Sequence, residues 1–211
     1  MFLRTESDAA LVASTRKGDL EAFNHLVSRW EKRLYNYLLR LLAHRPGFRE
    51  DALELAQDAF LKAYQSIGTL TDAAKFAPWL YRIAHNLAFS YLRRPAPLEL
   101  FEEGGQDRRG QWSSEWSSDG KANAPAYPAS PQPAFGREME IAVARALDAL
   151  AAEQREAIVL KVYHGFRFDE IAEIISCPVS TVKTRVYAGF AQLRAVLQAE
   201  PASNPRRTRR R

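Results

Sequence analysis

The sequence predicts an all-α chain: two small helical domains joined by a long flexible linker, with a helix-turn-helix in the C-terminal domain. Three observations carry that expectation. Apolar residues recur every three or four positions in residues 1–94 and again in 137–198, the spacing that lines one face of a helix. Nothing alternates with period two over a useful length, so no sheet is expected. Residues 95–136 hold six prolines (Pro95, Pro97, Pro125, Pro128, Pro131 and Pro133) among clustered Gly and Ser, with no apolar periodicity. Such a stretch cannot bury enough surface to fold, and it is longer than an ordinary connection.

The elements follow in order. Phe23, Leu26, Trp30, Leu34, Leu38 and Leu41 form one apolar face, and Asp19 can cap the start of that helix. The run His44-Arg45-Pro46-Gly47 breaks the pattern. Leu55, Ala59, Ala63 and Ile67 mark a second face that ends at Gly68. Pro78 is expected to open a third long helix, carrying Leu80, Ile83, Leu87 and Tyr91 and stopping before Pro95. In the second domain Ile141, Ala144, Leu147 and Leu150 form a stripe. Ile158 and Val162 belong to a second helix closed by Gly165, and Ile171, Ile174 and Ile175 to a third. Ser176-Cys177-Pro178 breaks the chain before a fourth helix whose Val182, Val186, Leu193 and Leu197 face inward.

The chain has 211 residues, 30 Lys+Arg and 25 Asp+Glu, a formal charge of +5. The terminal arginines Arg206, Arg207, Arg209, Arg210 and Arg211 account for the whole surplus, so a uniformly basic DNA-coating protein is excluded. The charge is segregated: +4 over residues 1–94, −3 over 95–136 and −1 over 137–200. One cysteine, Cys177, allows no internal disulfide and suits a reducing compartment. His25, His44, His85 and His164 are scattered and lack metal-ligand spacing, so no metal or other cofactor is expected. The N-terminus carries Arg4, Glu6 and Asp8 where a signal peptide needs an apolar run. No stretch of about eighteen apolar residues is present, so no membrane insertion is expected and the expected location is cytoplasmic.

Chemistry is concentrated in three places. Residues 168–186 read as a short helix, a tight turn and a second helix with an apolar inner face, the ingredients of a helix-turn-helix. From 178 to 198 there are three basic residues, Lys183, Arg185 and Arg194, and no acid, whereas 137–177 has five basic and eight acidic residues. Positive charge therefore sits on the helix that would enter a major groove, where Lys and Arg on phosphates supply affinity and side chains on base edges supply specificity. Lys183, Tyr187 and Arg194 fall near one stripe with Thr184 beside them. A solvated helix face is the plain alternative. After Pro78, Trp79, Arg82, Asn86, Phe89 and Arg93 form a second stripe, with Arg94 next to it. Cations interleaved with rings suit a strand whose bases are unstacked; amphipathic packing with a wet edge is the alternative. Third, Glu54, Gln57, Asp58 and Lys62 face away from Leu55, Ala59 and Ala63, which on its own reads as a solvated face with an Asp58–Lys62 pair. No phosphate loop, carboxylate pair or nucleophile–base arrangement is present, so no enzymatic activity is expected.

Taken together these segments resemble the extracytoplasmic-function (ECF) group of bacterial sigma factors. The opening Asp8-Ala-Ala-Leu-Val with Gly18-Asp19, Ala22-Phe23 and Leu26-Val27 is similar to that family's region two. So are Leu55-Ala-Gln57-Asp58-Ala-Phe60 and Trp79-Leu-Tyr-Arg-Ile-Ala-His-Asn86 with Arg93-Arg94. Leu147, Leu150, Arg155-Glu156, Glu170-Ile-Ala and Pro178-Val through Thr181-Val-Lys-Thr-Arg185 resemble region four. The resemblance implies that Glu54, Leu55, Gln57, Asp58 and Phe60 dock on core RNA polymerase. It implies that the loop 69–77, with Lys75 and Phe76, captures an unstacked base of the minus-ten element of promoter DNA. Trp79, Arg82, Asn86, Arg93 and Arg94 would support promoter opening, and Lys161, Lys183, Thr184, Arg185 and Tyr187 would contact the minus-thirty-five element. It further implies an anti-sigma factor as regulator and a linker threading toward the RNA exit path.

The implied domains are thus 1–94 for polymerase docking and minus-ten recognition, 95–136 as acidic linker, 137–200 as helix-turn-helix domain and 201–211 as basic tail. The chain departs from the pattern at Ser176, where the family usually has Gly in the turn, and at Arg167, where a capping Ser is usual. Ala188 stands where a basic residue often contacts DNA, and Glu54 replaces the commoner Asp. Two other readings compete: a helix-turn-helix regulator without a sigma role, and a helical adaptor with no nucleic-acid role.

Overall fold

The computed structural model describes residues 6–43, 45–94 and 137–199. Those residues form helices joined by short turns, with no strand among them. The expected linker with Trp112 and Trp116, and the arginine-rich tail, lie outside the described residues.

Helix α1 (Asp8–Thr15) starts at Ser7, whose side chain accepts from the Ala10 amide. Helix α2 (Leu20–Leu42) starts at Asp19, which accepts from the Ala22 amide at 3.2 Å as expected. Its apolar face is fully used: Leu26, Trp30, Leu34, Tyr37, Leu38 and Leu41 are all buried. The Trp30 indole donates to Asp8, which is also ion-paired with Arg29, so α1 is fastened to α2 by charge as well as by Leu11 and Val12. Helix α3 (Phe48–Ser66) follows a break at Gly47, whose φ of 69° needs a residue without Cβ. Two 3-10 turns, Ile67–Thr69 and Ala73–Lys75, lead to α4 (Phe76–Leu92). That helix begins two residues before Pro78. Proline still fits, because its missing N–H falls within the first turn, where no intrahelical partner exists.

The C-terminal helices are α5 (Arg137–Asp148), α6 (Ala152–Ile158), α7 (Phe168–Ile174) and α8 (Val179–Ala199). Helix α6 does not continue regularly through Val162. It widens into a π turn at Val159–Tyr163, which ends before Gly165 at φ 74°. The widening rotates Val162 to the surface, where it is exposed rather than inward-facing. Leu193 is buried as expected, whereas Leu197 is only half-buried against α5 and α6.

The two groups of helices share a core. Val159, Leu160, Phe166, Ile171 and Ile174 belong to the same apolar cluster as Tyr37, Phe76, Leu80 and Tyr81. The face of α4 meets α7, and α2 meets α6 and the π turn. The Phe166 ring lies edge-on to Tyr81 at 4.9 Å between centroids.

Candidate nucleic-acid interface

Helices α7 and α8 form the expected helix-turn-helix. Ser176 is the one non-glycine residue with positive φ among the described residues, at 52°. The Cys177 amide bonds to the Ala172 carbonyl at 3.2 Å, which makes the turn a Schellman motif with serine at the position glycine usually takes. At the other end of α7, the Glu170 carboxylate accepts from the Arg167 amide at 2.7 Å. Glu170 thus supplies a cap that Arg167, a pure donor, cannot.

On α8, Lys183, Thr184 and Tyr187 are exposed, Tyr187 at 63%. Arg185 is half-buried, with its guanidinium 4.0 Å from the Cys177 sulfur. The Lys161 ammonium donates to the Phe166 carbonyl and lies 4.8 Å from the Phe168 ring centre, a ring that the Lys183 ammonium also approaches, at 5.9 Å. Lys161 braces the approach to α7. Phe190 and Val179 are also exposed on α8; sequence reading missed them because the inward stripe claims the eye.

The α4 stripe is divided. Arg82, Asn86, Arg93 and Arg94 are exposed, whereas Trp79 and Phe89 are half-buried and pack on the core. Phe76, the first residue of α4 where the preceding loop ends, is fully buried and stacks obliquely on Trp79. It supports the loop and does not present a ring to solvent. Lys75 is exposed and paired with Glu173 of α7 at 2.7 Å; that hydrogen bond raises the Lys75 pKa. The loop itself is ordered locally. Asp72 caps the Ala74 amide, Leu70 is buried, and Arg16 donates to the carbonyls of Ile67 and Leu70.

On α3, Glu54, Gln57 and Asp58 are exposed while Leu55 and Phe60 are buried. Leu55 and Phe60 therefore shape the helix from beneath. The apolar surface next to the acids comes instead from Leu53, Leu61 and Tyr64, all exposed. Their spacing with Gln57 (four, four, three) is visible in the sequence as a second apolar line. A groove of about 870 Å³ between α3 and α4 brings Glu54, Asp58 and Lys62 opposite Asn86, Ser90 and Arg94. The acidic and basic faces are thus the two walls of one groove.

Between the two groups of helices, the contacts are polar as well as apolar. Glu156 is fully buried, and its Oε1 accepts from the Tyr37 hydroxyl at 2.5 Å and lies 2.7 Å from His85 Nδ1. The Tyr81 hydroxyl lies 2.8 Å from His164 Nδ1. Arg155 donates to the carbonyls of Leu147, Asp148, Leu150 and, from the N-terminal helices, Leu41. Among the described residues no group of His, Cys, Asp and Glu could hold a metal ion, and no helix is long and apolar enough to cross a membrane.

Comparison with known proteins agrees with this geometry. Residues 26–96 match the family model for Sigma-70 region 2, and residues 140–193 that for Sigma-70, region 4. The ECF RNA polymerase sigma-E factor of Haemophilus influenzae is 31% identical over 86% of this chain and 90% of its own length. The sigma-E factor of Escherichia coli K12 is 31% identical over 86% and 89%. The RNA polymerase sigma-H factor of Pseudomonas aeruginosa is 29% identical over 93% and 97%. Among solved structures, the sigma factor RpoE bound to the anti-sigma factor NepR from Bartonella quintana has the same fold. Its TM-score is 0.57 at 24% identity, covering 85% of this chain and 98% of that one.

Proposed function

The chain belongs to the ECF sigma factors of RNA polymerase, and we propose that it works as a promoter reader with two separate reading surfaces. As a sigma factor it directs transcription initiation. It binds core RNA polymerase and promoter DNA, it has an anti-sigma factor as regulator, and it acts in the cytoplasm. Sigma factors are regulatory DNA-binding proteins, and this one carries out no catalysis of its own.

The roles divide by exposure. Exposed Glu54, Gln57 and Asp58, together with Leu53 and Leu61, form the polymerase contact; Leu55 and Phe60 hold that helix in place. Lys75, Arg82, Asn86, Arg93 and Arg94 meet the minus-ten strand, with Phe76 and Trp79 fixing the loop and helix that carry them. Lys183, Thr184 and Tyr187 meet the minus-thirty-five duplex, Arg185 flanks them, and Lys161 positions α7.

The observation that carries this reading is the pairing of two exposed cationic surfaces on two different bundles, on the α4 edge and on α8. A lone helix-turn-helix regulator has no use for the first. The test is binding of core polymerase at physiological salt. The wild type binds, and Glu54→Lys with Asp58→Lys weakens binding by roughly tenfold or more, because charge reversal at an interface costs several kcal/mol. No binding by the wild type would end this reading.

A further inference from the structure

Three guanidiniums gather at the C-terminal end of α4. Arg93 and Arg94 are exposed there, and the third, Arg45, arrives from the break between α2 and α3. The Arg45 amide donates to the Leu42 carbonyl at 2.9 Å, which ties its backbone to the end of α2. Its side chain crosses to α4, where the guanidinium reaches the carbonyls of Tyr91, Leu92 and Arg94, each at 3.5 Å. The last carbonyls of a helix have no partner within it, and the helix dipole favours a cation beside them. Arg45 is thus a C-terminal cap supplied from another part of the chain.

Arg45 is itself held in place. Its guanidinium lies over the Tyr91 ring, 4.8 Å from the centroid, and the Tyr91 hydroxyl donates to Asp51 of α3 at 2.5 Å. That hydrogen bond raises the Tyr91 pKa, so the phenol keeps its proton. Arg45, Tyr91 and Asp51 are all half-buried, in contrast to the exposed Arg93 and Arg94. Asp51 precedes Glu54 by about one helical turn. The three residues therefore staple the DNA end of α4 to the helix read as the polymerase contact.

Resting on the sigma reading, we infer that Arg45 is a positioning residue for promoter opening: by capping α4 from outside, it leaves the Arg93 and Arg94 side chains to the minus-ten strand. Arg94 lines the groove between α3 and α4, and Arg93 bonds to the Ser90 hydroxyl oxygen at 3.2 Å. With Arg45 gone, the orphaned carbonyls attract the nearest cations, which are the side chains of Arg93 and Arg94. A guanidinium folded back onto its own helix end is withdrawn from phosphate. The Arg45 charge also repels both of them from that end. Asp51, the acid that lines the same groove as Arg94, is taken up by Tyr91, and residues 73–94 hold no acid. The two arginines thus keep their charge for the strand.

The test uses the full chain with core polymerase and a duplex promoter that the wild-type holoenzyme selects from a random library. A 2-aminopurine in its minus-ten element reports unstacking. Arg45→Ala is expected to slow opening roughly fivefold, with affinity for core polymerase unchanged. Tyr91→Phe keeps every charge and the ring beneath Arg45 but loses Asp51; it should slow opening in the same direction, by less. In a background of Arg93→Ala with Arg94→Ala, adding Arg45→Ala should slow opening no further, because residues that act through one another are not additive. Unchanged opening in Arg45→Ala, or the same slowing in that background, would overturn the inference. The second outcome, with a salt slope lower by about one unit, would make Arg45 a phosphate contact in its own right. The free chain gives an independent readout. In Arg45→Ala the Nε–Hε resonances of Arg93 and Arg94 should shift as those side chains take over the carbonyls, while that of Arg82 stays. Resonances that do not move overturn the inference whatever the promoter shows. A library that yields no chain-dependent promoter sinks the sigma reading itself, and the resonances still decide where Arg93 and Arg94 rest.

Discussion

Tyr81 and His164 meet across the two bundles, hydroxyl to Nδ1 at 2.8 Å, with Tyr81 fully buried and the His164 ring partly buried, its Nε2 closed off from solvent. Burial raises the Tyr81 pKa, so the phenol stays protonated. Burial, and then the charges of Arg40 and Arg33, lower the His164 pKa to about 3. The imidazole is therefore neutral, accepts from Tyr81 at Nδ1 and carries its proton on Nε2. The pair requires a neutral histidine, which gives the interface a pH dependence of definite sign.

That sign follows from linkage. A free histidine titrates near 6.5, and His164 in place titrates far below. Its contribution is complete above pH 6.5 and is lost as pH falls from there toward 3. Between pH 7.5 and 5.5 the packed form is expected to lose about 1.4 kcal/mol relative to forms that expose His164. Urea unfolding at the two pH values measures it. His164→Phe should lower stability at pH 7.5 by orphaning the Tyr81 hydroxyl, yet show a shallower decline toward pH 5.5. An unchanged slope in that variant would remove His164 as the cause.

Arg155 is the most connected buried cation among the described residues, with four carbonyls accepting from it on α5, on the turn before α6 and on α2. Its planar fork is what lets one side chain reach them all. Arg155→Lys keeps the charge and loses the fork. It is expected to cost about 3 kcal/mol, seen as a lower urea midpoint without a change in the slope of the transition. A loss below half that would mean the carbonyls find water instead.

Ser176 occupies a left-handed conformation in the helix-turn-helix turn. Glycine adopts that backbone freely, so Ser176→Gly is expected to stabilise the chain by about 0.5–1 kcal/mol. The melting temperature should rise by about 1–4 °C, with promoter choice unaltered. A fall in melting temperature would contradict the strain assigned to this turn.

Lys183 and Arg94 test the two readers separately. If Lys183 holds a phosphate of the upstream duplex, Lys183→Ala weakens holoenzyme binding evenly across sequences and lowers the salt slope by about one unit. Arg94→Ala should instead slow opening of the downstream strand and leave closed-complex affinity nearly unchanged. Permanganate footprinting of unpaired thymines distinguishes the two. Equal effects of both substitutions on duplex binding alone would argue for a single DNA surface.

The helices were largely legible in the sequence because their apolar faces carry the 3.6-residue period, from Phe23 to Leu41 without a gap. The cap at Asp19 was legible too, since local chemistry decides it, whereas Ser176 stood out only by departing from the glycine usual in the family the chain resembles, and its positive φ is a finding of the structure. What the sequence concealed came from tertiary geometry. Whether Phe76, Leu55 and Phe60 face solvent or core depends on how helices meet, so residue type and a matching motif put them on the reading and docking surfaces when they lie beneath. The widened turn after α6 interrupts a pattern that reads as continuous helix, and so Val162 points outward. Least legible was the contact between the bundles. Tyr37 and Glu156 are 119 positions apart, and no periodicity links them. Glu156 stands among alternating charges that look like an ordinary wet surface.

The central claim is that this chain gives core polymerase its choice of promoter through two separated DNA contacts. The most direct measurement is transcription of a random promoter library by core polymerase with and without the chain, reading out the start sites and the sequence upstream of each. The account predicts starts that depend on the chain, each preceded by two motifs at a nearly fixed spacing, with Lys183→Ala blurring only the upstream one. Starts unchanged from core polymerase alone, combined with tight binding of the free chain to duplex DNA, would contradict it.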